Sequence, residues 1–244
     1  MKTRLRLVAV IKMGATKFPI KSLTEQTWLT FDKENKHTKK ENMIRIKETT
    51  NDTIANNIQR WRAKASPENI DGGMTWYDDA MRFSRKLSRN YKVSRHKSAA
   101  VISCLSPNNK WERNKYDAEQ MISHYREGHK TWEGLMICTY DDNKNKAWRI
   151  LTEGDHITEE SPKTHSFAMN VGRKSPSHVT IDKWHMRASL SRPRDGITNT
   201  QESPTKLQYK RLEGITLEIA RMHKLKGYEL QAIVWLTIKE AWNR

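Results

Sequence analysis

The stretch Trp76-Tyr-Asp-Asp-Ala80-Met-Arg-Phe83-Ser-Arg-Lys-Leu87 sets large apolar residues at i, i+4, i+7 and i+11. That spacing predicts one buried face of an α-helix. The opposite face opens a basic run, with Arg82, Arg85, Lys86, Arg89, Lys92, Arg95 and Lys97 and no acid among them. Next comes Lys97-Ser-Ala-Ala-Val-Ile-Ser-Cys-Leu105, apolar on every side, which predicts a helix buried all round. It is expected to stop at Ser106-Pro107, because the residue before a proline disfavours helical backbone.

The helical period continues outward from this pair. Ala118, Met121, Ile122 and Tyr125 form one stripe, and Ala147, Ile150 and Leu151 mark a short helix before an acidic stretch from Glu153 to Glu160. Ser161-Pro162 opens another helix, expected to end near Gly172. Leu212, Ile215, Ile219 and Met222 then precede a strongly apolar helix over 228–242, with Gly227 as the stop between them. Residues 43–244 are therefore expected to be all-α. Upstream, Arg4 to Ile11 partly alternates and Gln26 to Phe31 alternates well, followed by a polar linker from Asp32 to Glu41. Residues 1–42 read as a small β-hairpin appendage and linker, and two strands alone are marginally stable.

Composition narrows the function. The 244 residues carry 45 Lys and Arg against 28 Asp and Glu, a formal charge of +17. Only 36% are apolar, but nine Trp, seven Tyr and four Phe argue for a folded core and binding surfaces rather than disorder. The longest strongly apolar runs, Leu7 to Ile11 and Ala232 to Leu236, fall far short of the ~20 residues of a membrane span. No secretory signal is read at the N-terminus. Cys104 and Cys138 are too few for a disulfide framework, a four-Cys zinc site or an iron–sulfur cluster, and no H-E-x-x-H-like metal spacing stands out. The expectation is a monomeric, cytoplasmic protein without cofactor or metal. Its excess positive charge points to a polyanion, a nucleic acid first, whose phosphates give affinity without sequence specificity.

Two segments carry candidate chemistry. One is Leu105-Ser-Pro-Asn108-Asn-Lys110-Trp111-Glu-Arg113-Asn114. The other joins Ser161-Pro-Lys163-Thr-His-Ser-Phe to Val179-Thr-Ile-Asp182-Lys-Trp-His185-Met-Arg187. Lys163 sits in a helix's first turn, where the helix dipole disfavours an ammonium. Asp182 stands where the next helix begins, and the plain alternative for it is an ordinary N-cap. Asn108 equally suits a turn after proline, Trp111 and Trp235 equally suit a core, and His185 suits a structural hydrogen bond. Gln231, in an apolar helix, needs a partner.

These residues resemble the helix-hairpin-helix DNA glycosylase superfamily. In that superfamily a Lys-Thr element precedes, by about the same interval as Lys163 precedes Asp182, a Val-Asp-x-His-x-x-Arg-like element. The fuller pattern is most similar to phage-encoded relatives, including the alpha-glutamyl/putrescinyl thymine pyrophosphorylase-like group, over about residues 43–244. The resemblance implies a helical glycosylase-like bundle that extrudes a modified or damaged base from double-stranded DNA. It implies Asp182 as the catalytic carboxylate and Lys163 as a Schiff-base nucleophile with lyase activity. Asn108 would fill the gap or contact the estranged base, and Trp111, Asn114, His185 and Gln231 would line the base pocket. Lys110, Arg113 and Arg187 join the basic run as backbone contacts. The sequence departs from the superfamily where Glu160-Ser-Pro162 replaces the hairpin glycines that let a phosphate approach the backbone. Three alternatives stand beside it: a non-catalytic DNA-binding protein on the same scaffold, a phage enzyme processing hypermodified thymine, and a basic RNA-binding module.

Overall fold

A computed structural model describes residues 43–154, 156–191 and 199–242. The chain divides after Asn42, and every described residue lies in the second unit. The hairpin expected over residues 1–42 falls outside the described residues. The described part is helical, with a single 3-10 turn at Ile46–Glu48 followed by α1 (Asn51–Ala63), α2 (Pro67–Asn90), α3 (Arg95–Cys104), α4 (Trp111–Arg126) and α5 (Asp141–Thr152). Then come α6 (Pro162–Arg173), α7 (Lys183–Leu190), α8 (Lys206–Met222) and α9 (Gly227–Trp242). The one β-type pairing among the described residues is an isolated bridge between Ile44 and Thr200.

Local chemistry explains where the helices begin. Thr50, Ser66 and Ser94 each accept the third backbone N–H of α1, α2 and α3, and Pro67 opens α2 where its missing N–H costs nothing. Thr205 and Gln208 cap α8 reciprocally. The buried helix is α3, with every residue from Ser98 to Leu105 inside, ending just before Ser106-Pro107.

Two hydrophobic clusters make up the core. One surrounds α3, taking Tyr77 and Leu87 from α2, Met121 from α4, Trp148 from α5 and Phe167 from α6. The other joins Ile54 and Trp61 of α1 to Met186 of α7 and Leu212 and Ile219 of α8. Helix α9 belongs to both: Tyr228 and Ala232 face the first, Leu230, Val234 and Ile238 the second. Its all-round hydrophobicity is thus the mark of a shared wall. It lies against α2 with little room, since a Cβ on Gly73 would stand 2.6 Å from the Ile233 backbone nitrogen.

Two expectations are corrected, Gly227 as a helix stop and Met222 as part of a buried stripe. Gly227 is not a stop: α8 ends at Met222, the chain turns through Lys224 at φ +55°, and Gly227 starts α9 tucked under Leu217 and Val179. Helix α6 ends where expected, at Arg173 next to Gly172, with Gly172 facing Ala99 and left-handed Lys174, φ +51°, closing the helix. Met222 closes its stripe in the exposed position.

Gly73→Ala tests the α2–α9 approach. Helix propensity alone would favour alanine by roughly 0.5–1 kcal/mol. Overpacking is expected to win, with a net loss of about 1–3 kcal/mol in chemical unfolding. A stabilised variant would contradict the packing.

Candidate active site

The approach to Asp182 is held from α8. The Ile181 N–H donates to Tyr209 Oη (3.1 Å), Tyr209 Oη donates to the Val179 carbonyl (2.7 Å), and the Val179 N–H donates to Glu213 Oε1 (2.8 Å). Asp182 then caps α7, its Oδ1 accepting the His185 N–H at 2.9 Å. His185 turns the other way, into the core, where its Nε2 meets Thr216 Oγ1 at 2.9 Å. Burial lowers its pKa from 6.5 to about 4, so the ring is neutral at pH 7 and anchors α7 to α8.

Lys163, exposed on the first turn of α6, is close enough to influence Asp182. Burial raises the Asp182 pKa above its ordinary 3.8. The His185 N–H, the Lys163 charge, the Trp184 N–H and a hydrogen bond from the Trp235 side chain oppose the shift without cancelling it. The Lys163 charge thus lies within electrostatic reach of the Asp182 carboxylate.

Aromatic rings from four helices form a cluster that includes Trp235, the side chain bonded to Asp182. Trp76 of α2 stands 5.1 Å from Trp111 of α4, 6.0 Å from Phe167 of α6 and 6.1 Å from Trp235 of α9, centroid to centroid. The three indoles are half-buried. Beneath them lies a buried polar chain: Tyr77 Oη bonds Gln231 Oε1 (3.0 Å) and Thr180 Oγ1 (3.2 Å), and Asn170 Nδ2 donates to Thr180 Oγ1 (3.4 Å). Asn170 Oδ1, fully buried, has no partner among the described residues. Lys163, Phe167 and Asn170 follow one another at i, i+4 and i+7 on one face of α6.

The other sequence candidates divide. Trp111 joins the aromatic cluster. Asn114 does not, because its amide points inward to the Ile102 carbonyl at 3.1 Å. The partner Gln231 needs is Tyr77. Asn108 adopts left-handed backbone, φ +57°, and its exposed amide bonds Tyr140 Oη. In the basic set, Arg85, Lys86, Arg89, Lys92 and Arg95 are exposed and without ion pairs among the described residues, and Lys110 is exposed as the residue before α4. Arg82 pairs with Asp79, Lys97 donates to the Leu151 carbonyl (2.7 Å), and Arg113 is bound to Asp117 (2.6 Å). Arg187 is corrected from a backbone contact to a structural residue. Its guanidinium lies 4.8 Å from the Trp184 ring and 4.3 Å from Trp242, pairs with Glu202, and is largely buried.

Sequence reasoning leaves Tyr77, Phe167, Asn170 and Thr180 out of the site and assigns Trp76 to the core. The register of Lys163, Phe167 and Asn170 is the available signal for two of them. It also passes over His124, Glu127 and His129 on the C-terminal end of α4, whose potential ligand atoms lie within 4.8 Å of one another. There the two imidazoles stack at 3.6 Å, and His124 Nε2 is already 3.1 Å from the Thr131 carbonyl oxygen.

Residues 40–242 match a family described as "Family of unknown function (DUF7178)", and the chain belongs to that family. No curated protein and no solved structure matches it. Among the described residues no helix is long and apolar enough to cross a membrane.

Asp182→Asn separates the cap from the charge, since asparagine caps as well as aspartate. The folded-state pKa lies above the unfolded one. The carboxylate therefore costs stability at neutral pH, and that cost disappears as the pH falls through the folded pKa toward 3.8. In thermal unfolding the variant is expected to be at least as stable as wild type at pH 7, its advantage shrinking toward pH 4. His185 contributes equally to both proteins and cancels. A variant less stable at pH 7 would contradict the charge penalty.

Proposed function

We propose that this protein is a DNA N-glycosylase of the helix-hairpin-helix type, extruding one base and cleaving its glycosidic bond, with strand cleavage through Lys163 as a second activity. The supporting observation is the meeting of a carboxylate whose charge burial disfavours, an exposed amine and half-buried indoles from three helices. A base inside a duplex is out of reach, so it must leave the stack, and aromatic faces are the natural platform for it. The rings stand too close together, at 5.1–6.1 Å from Trp76, for a base to slot between them. It would stack on an exposed face or displace a ring.

Breaking the C1′–N bond sends the bonding electrons off with the base and builds positive charge on the sugar, as in glycoside hydrolysis. Asp182 would stabilise that cation or take a proton from the attacking water. In the lyase route Lys163, once it has given up its proton, attacks C1′ as the base leaves with the bonding electrons. The C1′–O4′ bond then opens as an amine proton passes to O4′, giving a protonated imine, and loss of a C2′ proton to water or a nearby base expels the 3′ phosphate. The unpaired cations on α2 and at the start of α3 would neutralise backbone phosphates, so binding should weaken steeply with salt. A second reading, DNA binding without chemistry, is favoured by the use of Asp182 as an N-cap.

Incubation with duplexes carrying modified bases, hypermodified thymine among them, and mass spectrometry of the released bases separate the two. Wild type is expected to release a base, and Asp182→Asn to lose roughly 10²-fold or more in rate while binding DNA unchanged. Lys163→Met is expected to abolish the borohydride-trapped adduct. Tight DNA binding with no base released and no adduct would leave the non-catalytic reading.

A further inference from the structure

A second site lies across α6 from the aromatic cluster. An open cleft of about 510 Å³ runs between α3 and α6. Its polar rim consists of Arg95 and Lys97, Arg173, and the imidazoles of His96, His156 and His165. Small residues line the cleft where the two helices meet, Ala99 and Ala100 from α3 and Ala168 and Gly172 from α6, with Gly172 packed close to Ala99. Helical geometry separates the two sites, since His165, Ala168 and Gly172 fall on the face of α6 opposite Lys163, Phe167 and Asn170.

Two guanidinium groups and the Lys97 ammonium, which donates to the Leu151 carbonyl, gather at this cleft, while Glu159 and Glu213 act on His165 from nearby. No carboxylate lines it among the described residues, and neither Arg95 nor Arg173 has an acidic partner there. Arg173 Nη2 instead approaches His96 Nε2, at 3.5 Å. Cations gathered on one rim repel one another, and an anion between them relieves that repulsion. Guanidinium forks match the oxygens of a phosphate. The volume lies in the range of small-ligand sites, about 300–1,000 Å³, and exceeds what a bare phosphate fills. The apolar floor gives the attached group a surface to lie on.

We infer that this cleft binds the phosphate group of a nucleotide, as a free monoester or as a diester within a nucleic acid strand. It does not depend on Asp182 or on the glycosylase reading. Arg95→Ala/Arg173→Ala removes charge from two exposed positions. Ala168→Leu fills the floor and leaves every charge in place, with Ala168→Met as a substitute should the leucine variant fail to fold.

The probes are inorganic phosphate, thymidine 5′-monophosphate, thymidine and a short DNA duplex, each at constant ionic strength, read by thermal unfolding and by direct titration. The monophosphate or the duplex is expected to bind and stabilise wild type, thymidine to do neither. Both variants are expected to bind at least tenfold more weakly. Loss on the monophosphate identifies a free nucleotide as the ligand, and loss on the duplex alone identifies a strand phosphate. Binding by Ala168→Leu, or by the folded methionine variant, equal to wild type would reduce the effect to long-range attraction and overturn the site. So would a double variant unchanged on every probe. Asp182→Asn is expected to retain this binding, and absence of base release by the wild type with the cleft binding intact would count against the glycosylase alone.

Discussion

The close approach of α2 and α9 at Gly73 is the constraint on which the candidate active site depends. With no side chain at Gly73, Ile233 can bring its backbone to within 2.6 Å of where a Cβ would stand. One turn further along α2 come Trp76 and Tyr77; two residues to either side of Ile233 come Gln231 and Trp235. The Tyr77–Gln231 hydrogen bond and the Trp76–Trp235 ring contact therefore both span the crossing. Because α9 also closes both hydrophobic clusters, any spreading of the crossing would be felt by the core and the site together.

Around that crossing the protein keeps charge and burial in tension. Asp182 is fixed by its cap and by a backbone approach clamped from α8, yet it sits where burial disfavours its charge, and Lys163 only partly offsets this. A carboxylate held in place at a cost in stability beside aromatic surface supports the proposed role of Asp182. Helix α6 extends the pattern by facing the aromatic cluster on one side and the cationic cleft on the other.

Much of the fold was legible because it is written in local periodicity and punctuation. The Trp76–Leu87 spacing, the all-round hydrophobicity of α3 and the prolines at 107 and 162 act on their own stretch of chain. The positions of Asp182 and Lys163 were legible for the same reason, each lying at a helix start. Gly227 misled because its role is long-range: it looks like a helix stop in sequence but opens α9 in close contact with Leu217. Side-chain direction was the other gap. Asn114 and His185 sit beside site residues in sequence but point to Ile102 and Thr216, partners only the packed structure supplies. Arg187, likewise, is taken up by Trp184, Trp242 and Glu202. The aromatic cluster draws single residues from four helices, so no one segment announces it.

Lys163 and Asp182, 19 positions apart, are coupled through the lysine charge, which lowers the aspartate pKa against the effect of burial. Carbon-13 NMR titration of the Asp182 side-chain carboxyl, in wild type and in Lys163→Met, measures this directly. The midpoint should lie above the ordinary aspartate value in wild type and rise further once the lysine charge is gone. A midpoint identical in the two proteins would mean that the two groups do not share a site.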